Sequence, residues 1–132
     1  MRLFALTIGF VLVVAAPGAH AASAESRFER SLKMLEPGER LVQLCDYTAM
    51  QRIRKEAPGY RPDRAIADAA VPTRISDNKI DALGAAFRSR GKWYAMAYHC
   101  TASPDNMKVL TFSYKLGDEI PENKWSAYGL WD

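Results

Sequence analysis

The sequence predicts an α+β domain in which two N-terminal helices pack on one face of a small antiparallel sheet of three to five strands. Three observations carry this reading. Residues 25–55 repeat apolar side chains at helical spacing, residues 79–116 alternate in the manner of strands, and each of these regions holds one cysteine, Cys45 and Cys100.

Met1 and Arg2 precede an apolar stretch from Leu3 to Ala16, and two small-x-small sites follow, Ala19-His20-Ala21 and Ala22-Ser23-Ala24. That is the layout of a secretory signal peptide, short for a bilayer span and followed by polar sequence. The expected organisation is a signal peptide over residues 1–24, cut after Ala21 or Ala24, and one domain over residues 25–132. The domain is expected in the periplasm or outside the cell, with no stable membrane anchor after cleavage; an uncleaved N-terminal anchor is the alternative. The formal net charge is +3, from 18 basic and 15 acidic residues, and loss of Arg2 with the leader brings it nearer balance. No nucleic-acid partner is expected from such a balance, nor an anionic membrane as the main one.

Residues 25–36 have helical composition, with Phe28, Leu32 and Leu35 on one face, and Pro37-Gly38 break the run. A second helix is expected from just after this break to about Lys55. At 100° per residue Leu41, Val42, Cys45, Ala49 and Ile53 share one arc, which puts Cys45 in the middle of a buried stripe. Residues 57–72 carry Pro58-Gly59, Arg61-Pro62 and Val71-Pro72, and read as an irregular connection or a short edge strand, with Ile66 and Val71 reaching the core. Residues 79–88 read as a strand with Leu83, Ala85 and Phe87 on one face and Ala82, Gly84 and Ala86 on the other. Such small residues point to close packing on that second face.

Ser89-Arg90-Gly91 is the expected turn into the central strand. There Tyr94, Met96, Tyr98 and Cys100 face one way and Trp93, Ala95, Ala97 and His99 the other. The turn-forming Ala102-Ser103-Pro104-Asp105-Asn106 leads to a further strand with Leu110, Phe112, Tyr114 and Leu116 on its apolar face. Pro121 favours a new start, and Trp125, Tyr128, Leu130 and Trp131 crowd the last residues. They either close an open end of the core or form an exposed patch that binds a partner.

Two cysteines in an exported chain read as one disulfide, Cys45 to Cys100, joining the second helix to the central strand. Two buried free thiols are the alternative if the chain is not exported. The helix would then cover the strand face that carries Tyr94, Met96 and Tyr98.

The elements ERLVQLCDYTAMQRIRK, PDRAIADA, GAAFRSRGKWYAMAYHC, PDNMKV and GDEIPENKWSAYGLW, in that order, resemble the family known as domain of unknown function 930, found in exported alphaproteobacterial proteins. The resemblance implies a periplasmic domain with two paired cysteines, at the positions of Cys45 and Cys100. The family has no established activity, so the resemblance carries over no catalytic residue.

Patterns for common chemistries are missing from the sequence. His99 is the one histidine beyond the leader, and no G-x-S-x-G elbow accompanies it. No H-E-x-x-H motif, Cys/His cluster or EF-hand loop is present, nor a Walker or GxGxxG loop, and no cofactor or metal is expected. The acids Asp118, Glu119 and Glu122, and Asp77 with Asp81, are the candidate carboxylate pairs. Basic residues cluster twice: Arg52, Arg54, Lys55, Arg61 and Arg64 after the second helix, and Arg88, Arg90 and Lys92 around the turn at Gly91.

The leading expectation is therefore a non-catalytic envelope module that binds a protein or cell-wall component, with Trp125, Tyr128, Trp131, Arg88, Arg90 and Lys92 as candidate contacts. A secreted inhibitor of an enzyme such as lysozyme is one alternative. A small hydrolase or isomerase using His99, Tyr98 or the acids at 118–122 is the other.

Overall fold

The computed structural model describes residues 27–132, and within them the two helices lie on one face of a five-stranded antiparallel sheet. The proposed leader, its cleavage sites and residues 25 and 26, where the first helix was expected to begin, lie outside the described residues. The elements are α1 (residues 27–33), α2 (Pro37–Glu56), β1 (Pro62–Ile66), β2 (Arg74–Ser76), β3 (Lys79–Ser89), β4 (Lys92–Ala102) and β5 (Val109–Glu119). Two short 3-10 turns, Glu122–Lys124 and Ser126–Tyr128, follow. The sheet order is β1-β3-β4-β5, with β2 pairing the other half of β3.

Helix α2 begins at Pro37 itself rather than after Pro37-Gly38. Proline is well placed at a first helical position, where its missing N–H would have had no partner in any case. The break between α1 and α2 is held by Arg40. Its guanidinium donates to the carbonyls of Leu32 (3.0 Å) and Leu35 (3.0 Å) at the end of α1, and to Asp105 (2.9 Å) in the β4–β5 turn. One side chain thus satisfies the orphan carbonyls of a helix end and ties that helix to the sheet.

The inner face of α2 buries Leu41, Leu44, Cys45, Ala49 and Ile53 against Ile80, Ala82, Ala85 and Phe87 of β3 and Met96, Tyr98 and Cys100 of β4. Cys45 and Cys100 form the disulfide, with both residues buried, so helix and sheet are covalently joined as expected. The strand face that α2 covers is the one carrying Met96, Tyr98 and Cys100.

Two expected side-chain placements are corrected by β-bulges. A register shift between Ala82 and Ala85 moves Ala85 and Phe87 onto the same face as Ile80 and Ala82 and leaves Leu83 51% exposed on the other. A second shift, opposite Thr101 and Ala102, sets Leu110 outside the ladder, where it is 60% exposed, and lets Val109 pack on the core in its place. A bulge adds one residue to one strand, so the side-chain parity reverses beyond it. Phe112, Tyr114 and Leu116 keep the core-facing parity expected of them.

The segment 57–72 is better ordered than its prolines suggested. β1 pairs Arg64, Ala65 and Ile66 with Arg88, Phe87 and Ala86, and starts at a proline, as an edge strand can. Ile66 packs on a second, smaller cluster, whereas Val71 is exposed and contributes backbone instead. Gly84 is the reason: a Cβ there would collide with the backbone nitrogen of Val71, and Ala70 N–H donates to Gly84 O at 2.8 Å. This is the close approach that the small residues of β3 anticipated.

The second cluster lies on the outer face of the sheet. Ala86, Trp93, Ala69, Ile120 and Leu130 are buried there, with Ile66, Ala95, Trp125 and Tyr128 packed around them. The C-terminal segment therefore covers one end of the outer face, while α1 and α2 cover the inner one.

Replacing both Cys45 and Cys100 with Ser tests the covalent joint. A cross-link spanning 55 residues contributes about 4 kcal/mol by chain entropy, equivalent to a fall in melting temperature of more than about 10 °C in a domain of this size. Calorimetry that finds equal melting temperatures for the oxidised native chain and the variant would contradict this.

Candidate functional site

The site is assembled at the end of the sheet where the β3–β4 hairpin turns. Arg90 and Gly91 form its two-residue tip, with φ of 51° and 75°. Two left-handed residues in succession match the twist of the flanking strands, and glycine takes the second without strain. The tip is exposed and short, so Arg90 projects from a fixed base.

Beside it, Arg88 makes a two-pronged contact with Asp63, donating from Nε (3.0 Å) and Nη2 (2.8 Å) to the two carboxylate oxygens. This bonding holds the Asp63 carboxyl below its ordinary range and the Arg88 guanidinium above its own. The same guanidinium lies 6.0 Å from the centre of the Trp93 ring. Arg64 is the direct cross-strand neighbour of Arg88. Arg61 is drawn to the same end because its backbone N–H donates to the buried hydroxyl of Ser89 at 2.8 Å. Arg54, at the end of α2, donates to Pro62 O at 2.6 Å. Lys92 approaches Glu119 at 3.6 Å, an exposed pair of little energetic weight.

The aromatic residues split between core and surface. Trp93 is wholly buried, donates from Nε1 to Trp131 O at 2.7 Å and meets the Trp131 ring edge-on at 5.6 Å. Trp125 donates to Ile120 O at 2.9 Å, and Leu130 N–H returns to Trp125 O at 2.8 Å. Gly129, at φ 66°, turns the chain between them. Trp125 and Tyr128 are consequently half-buried parts of the outer cluster, whereas Trp131 remains 49% exposed against Trp93. Of the expected contacts, Arg88 and Trp131 both border the Trp93 indole, Arg90 stands at the tip of the turn, and Lys92 lies on the opposite strand face toward Glu119, while Trp125 and Tyr128 serve packing. Arg64 stood in the other basic cluster, and it is the pairing of β1 with β3 that sets it beside Arg88. The alternation in Asp63-Arg64-Ala65-Ile66 after Pro62 was the available signal.

The groups proposed for catalysis are dispersed. His99 Nδ1 meets Asp81 Oδ1 at 2.6 Å on the open outer face, where the histidine side chain is 62% exposed. This contact holds the Asp81 carboxyl below its ordinary range. Ser113 stands opposite His99 on β5, without a hydrogen bond between them among the described residues. Asp118 and Glu119 border a cleft of about 320 Å³ with Val71, Leu83 and Tyr128, which does not include His99. Tyr98 is on the inner face, donating its hydroxyl proton to Asp46 Oδ1 at 2.7 Å. A larger, apolar hollow of about 640 Å³ lies elsewhere, between α1, α2 and Ile75. Among the described residues, no group of three His, Cys, Asp or Glu side chains could hold a metal ion.

These features define a disulfide-joined α+β domain with a basic, tryptophan-bearing end and no assembled set of catalytic groups among the described residues. The chain belongs to the family described as Domain of Unknown Function (DUF930), whose model matches residues 32–130. No curated protein and no solved structure matches it.

The Asp46–Tyr98 pair carries a pH signature. Burial raises the Asp46 carboxyl from 3.8 to about 6, the hydrogen bond from Tyr98 opposes the rise, and Asp68 adds to it. The folded state then holds this proton more tightly than the unfolded chain does. The associated stability is complete below about pH 4 and is lost as pH rises through about 6, an effect of roughly 3 kcal/mol. Asp46→Asn should remove this component, so that its melting temperature falls less than the native one between pH 4 and 6.5. Parallel profiles for the two proteins would refute the assignment.

Proposed function

We propose that the chain is a non-catalytic module of the cell envelope that binds an anionic protein or cell-wall component through its hairpin end. The observation that carries this reading is the gathering of Arg61, Arg64, Arg88 and Arg90 at the hairpin end, with the half-exposed Trp131 against the same Trp93 indole that the Arg88 guanidinium approaches. Among the described residues Arg61, Arg64 and Arg90 have no carboxylate within ion-pairing distance, and Asp63 is engaged by Arg88. Guanidinium groups in this arrangement suit planar carboxylates or phosphates, and an exposed indole beside them suits an aromatic or sugar-ring contact.

The disulfide is compatible with an oxidising compartment, and the signal-like leader supports export to the periplasm or beyond. The rigid Arg90 tip also suits a second reading, a secreted inhibitor that presents a cation to the acidic cleft of an enzyme such as lysozyme. A small hydrolase or isomerase receives no support from the dispersal of His99, Tyr98 and the acids at 118–122.

Arg88 is a poor residue to test because its loss would also release Asp63, and Trp125 is poor because it is packed. The informative variant is Arg64→Glu with Arg90→Glu and Lys92→Glu. Captured from envelope extract at low salt, a partner should be retained at least about tenfold less well by this variant, the loss of roughly 1.4 kcal/mol or more, while melting temperature changes little. The native interaction should also weaken with added salt. Undiminished capture by the variant would refute the proposed surface.

A further inference from the structure

The sheet has two edges, and they are built differently. β1 is five residues long, opens with Pro62 and carries a register shift between Pro62 and Arg64, all features that discourage another strand from pairing with it. β5 is eleven residues long and contains no proline; it bulges at Leu110 and again between Leu116 and Glu119, but between these it pairs regularly with β4 from Thr111 to Leu116, a longer regular run than β1 offers. Its first six residues, Val109-Leu110-Thr111-Phe112-Ser113-Tyr114, are uncharged and rich in β-branched and aromatic side chains.

The direction of its free hydrogen-bonding groups follows from the neighbouring strands. Ala102 N–H donates to Asn78 O at 2.8 Å, and the Asn78 side-chain amide donates to Ala102 O, so Ala102 and the even-numbered residues of β4 aim their backbone groups at β3. The odd-numbered ones aim at β5, as Trp93 O does in accepting from Ile120 N–H at 2.8 Å. Ala97, His99 and Thr101 pair with Lys115, Ser113 and Thr111. Those three β5 residues are thereby bonded to β4, and Phe112, Tyr114 and Leu116 present their N–H and C=O groups outward. Among the described residues no other strand pairs with this edge.

We infer that β5 is an association edge at which two copies of this chain pair antiparallel, about a two-fold axis at Ser113, to form one continuous ten-stranded sheet. In this register Phe112 of each copy stands opposite Tyr114 of the other. Both residues aim their backbone groups outward, so both pairs close with hydrogen bonds, and aromatic side chains meet on the inner face. The ends of the stretch are complementary as well: Lys108 precedes it and Asp118 closes it, and antiparallel pairing brings these opposite charges together. Lys115 faces Thr111 of the second copy rather than a like charge.

The edge is also ordered in advance. Arg52 lies 5.8 Å from the ring centres of both Phe112 and Tyr114, and Tyr114 donates its hydroxyl proton to Glu56 at 2.7 Å, so these side chains lose little freedom on association. The inference is independent of the anion-binding reading, because the stretch it uses, from Thr111 to Lys115, pairs with the half of β4 away from the hairpin turn.

The test uses the chain exported with its own leader and purified oxidised, with mass measured by sedimentation equilibrium up to about 100 µM, since pairing follows mass action. The native chain should be dimeric. Ser113 is exposed, so Ser113→Lys and Ser113→Glu should each fold, melting where the native chain does once that is diluted to monomer. Each should sediment as a monomer, because like charges then oppose across the axis. An equimolar mixture of the two should recover the dimer mass. A monomeric native chain would overturn the inference, as would variants that remain dimeric alone or fail to associate when mixed.

Discussion

The Cys45–Cys100 bond is the constraint on which the arrangement of layers rests. It joins the midpoint of a 20-residue helix to the far end of the central strand, with both cysteines buried. Around it the contact surfaces are made of small and medium side chains, Ala49 on the helix and Ala82 and Ala85 on β3, which allow the helix to lie close to the sheet. The flanking positions carry a buried polar pair of the helix–sheet interface, Asp46 with Tyr98. Cross-link and hydrogen bond together fix both the position and the rotation of α2. The anchoring of α1 through Arg40, and of Phe112 and Tyr114 through Arg52 and Glu56, depends on that placement.

What the sequence conveys about this fold is its periodicity, and where periodicity persists the reading matches the structure. The stripe of α2, the core-facing Met96, Tyr98 and Cys100, and the Arg90-Gly91 turn were all legible. Leu83 and Leu110 were not, because each lies at a bulge and a single inserted residue turns an apolar side chain from core to solvent. β1 was obscured by Pro58, Pro62 and Pro72 around a short run. Its pairing with β3 is a long-range matter that local pattern does not encode.

The same distinction separates the legible and hidden parts of the candidate site. Arg88, Arg90 and Lys92 were visible as a charged hairpin. The placing of Arg64 beside Arg88, and of Trp131 against Trp93, depends on how β1 and the C-terminal segment fold back onto the sheet. The aromatic tail is divided between burial and exposure. Leu130, Trp125 and Tyr128 close the outer end of the core, and Trp131, held by its carbonyl to the Trp93 indole, stays half in solvent.

The most direct measurement is a titration of the oxidised, nitrogen-15-labelled chain with poly-glutamate, followed by amide and indole resonances at low and high salt. The account predicts shifts concentrated at Arg61, Arg64, Arg90, Gly91 and the Trp131 indole, diminished by salt. Shifts centred on the hollow between α1 and α2 or on the face around His99, or none at any concentration, would contradict it.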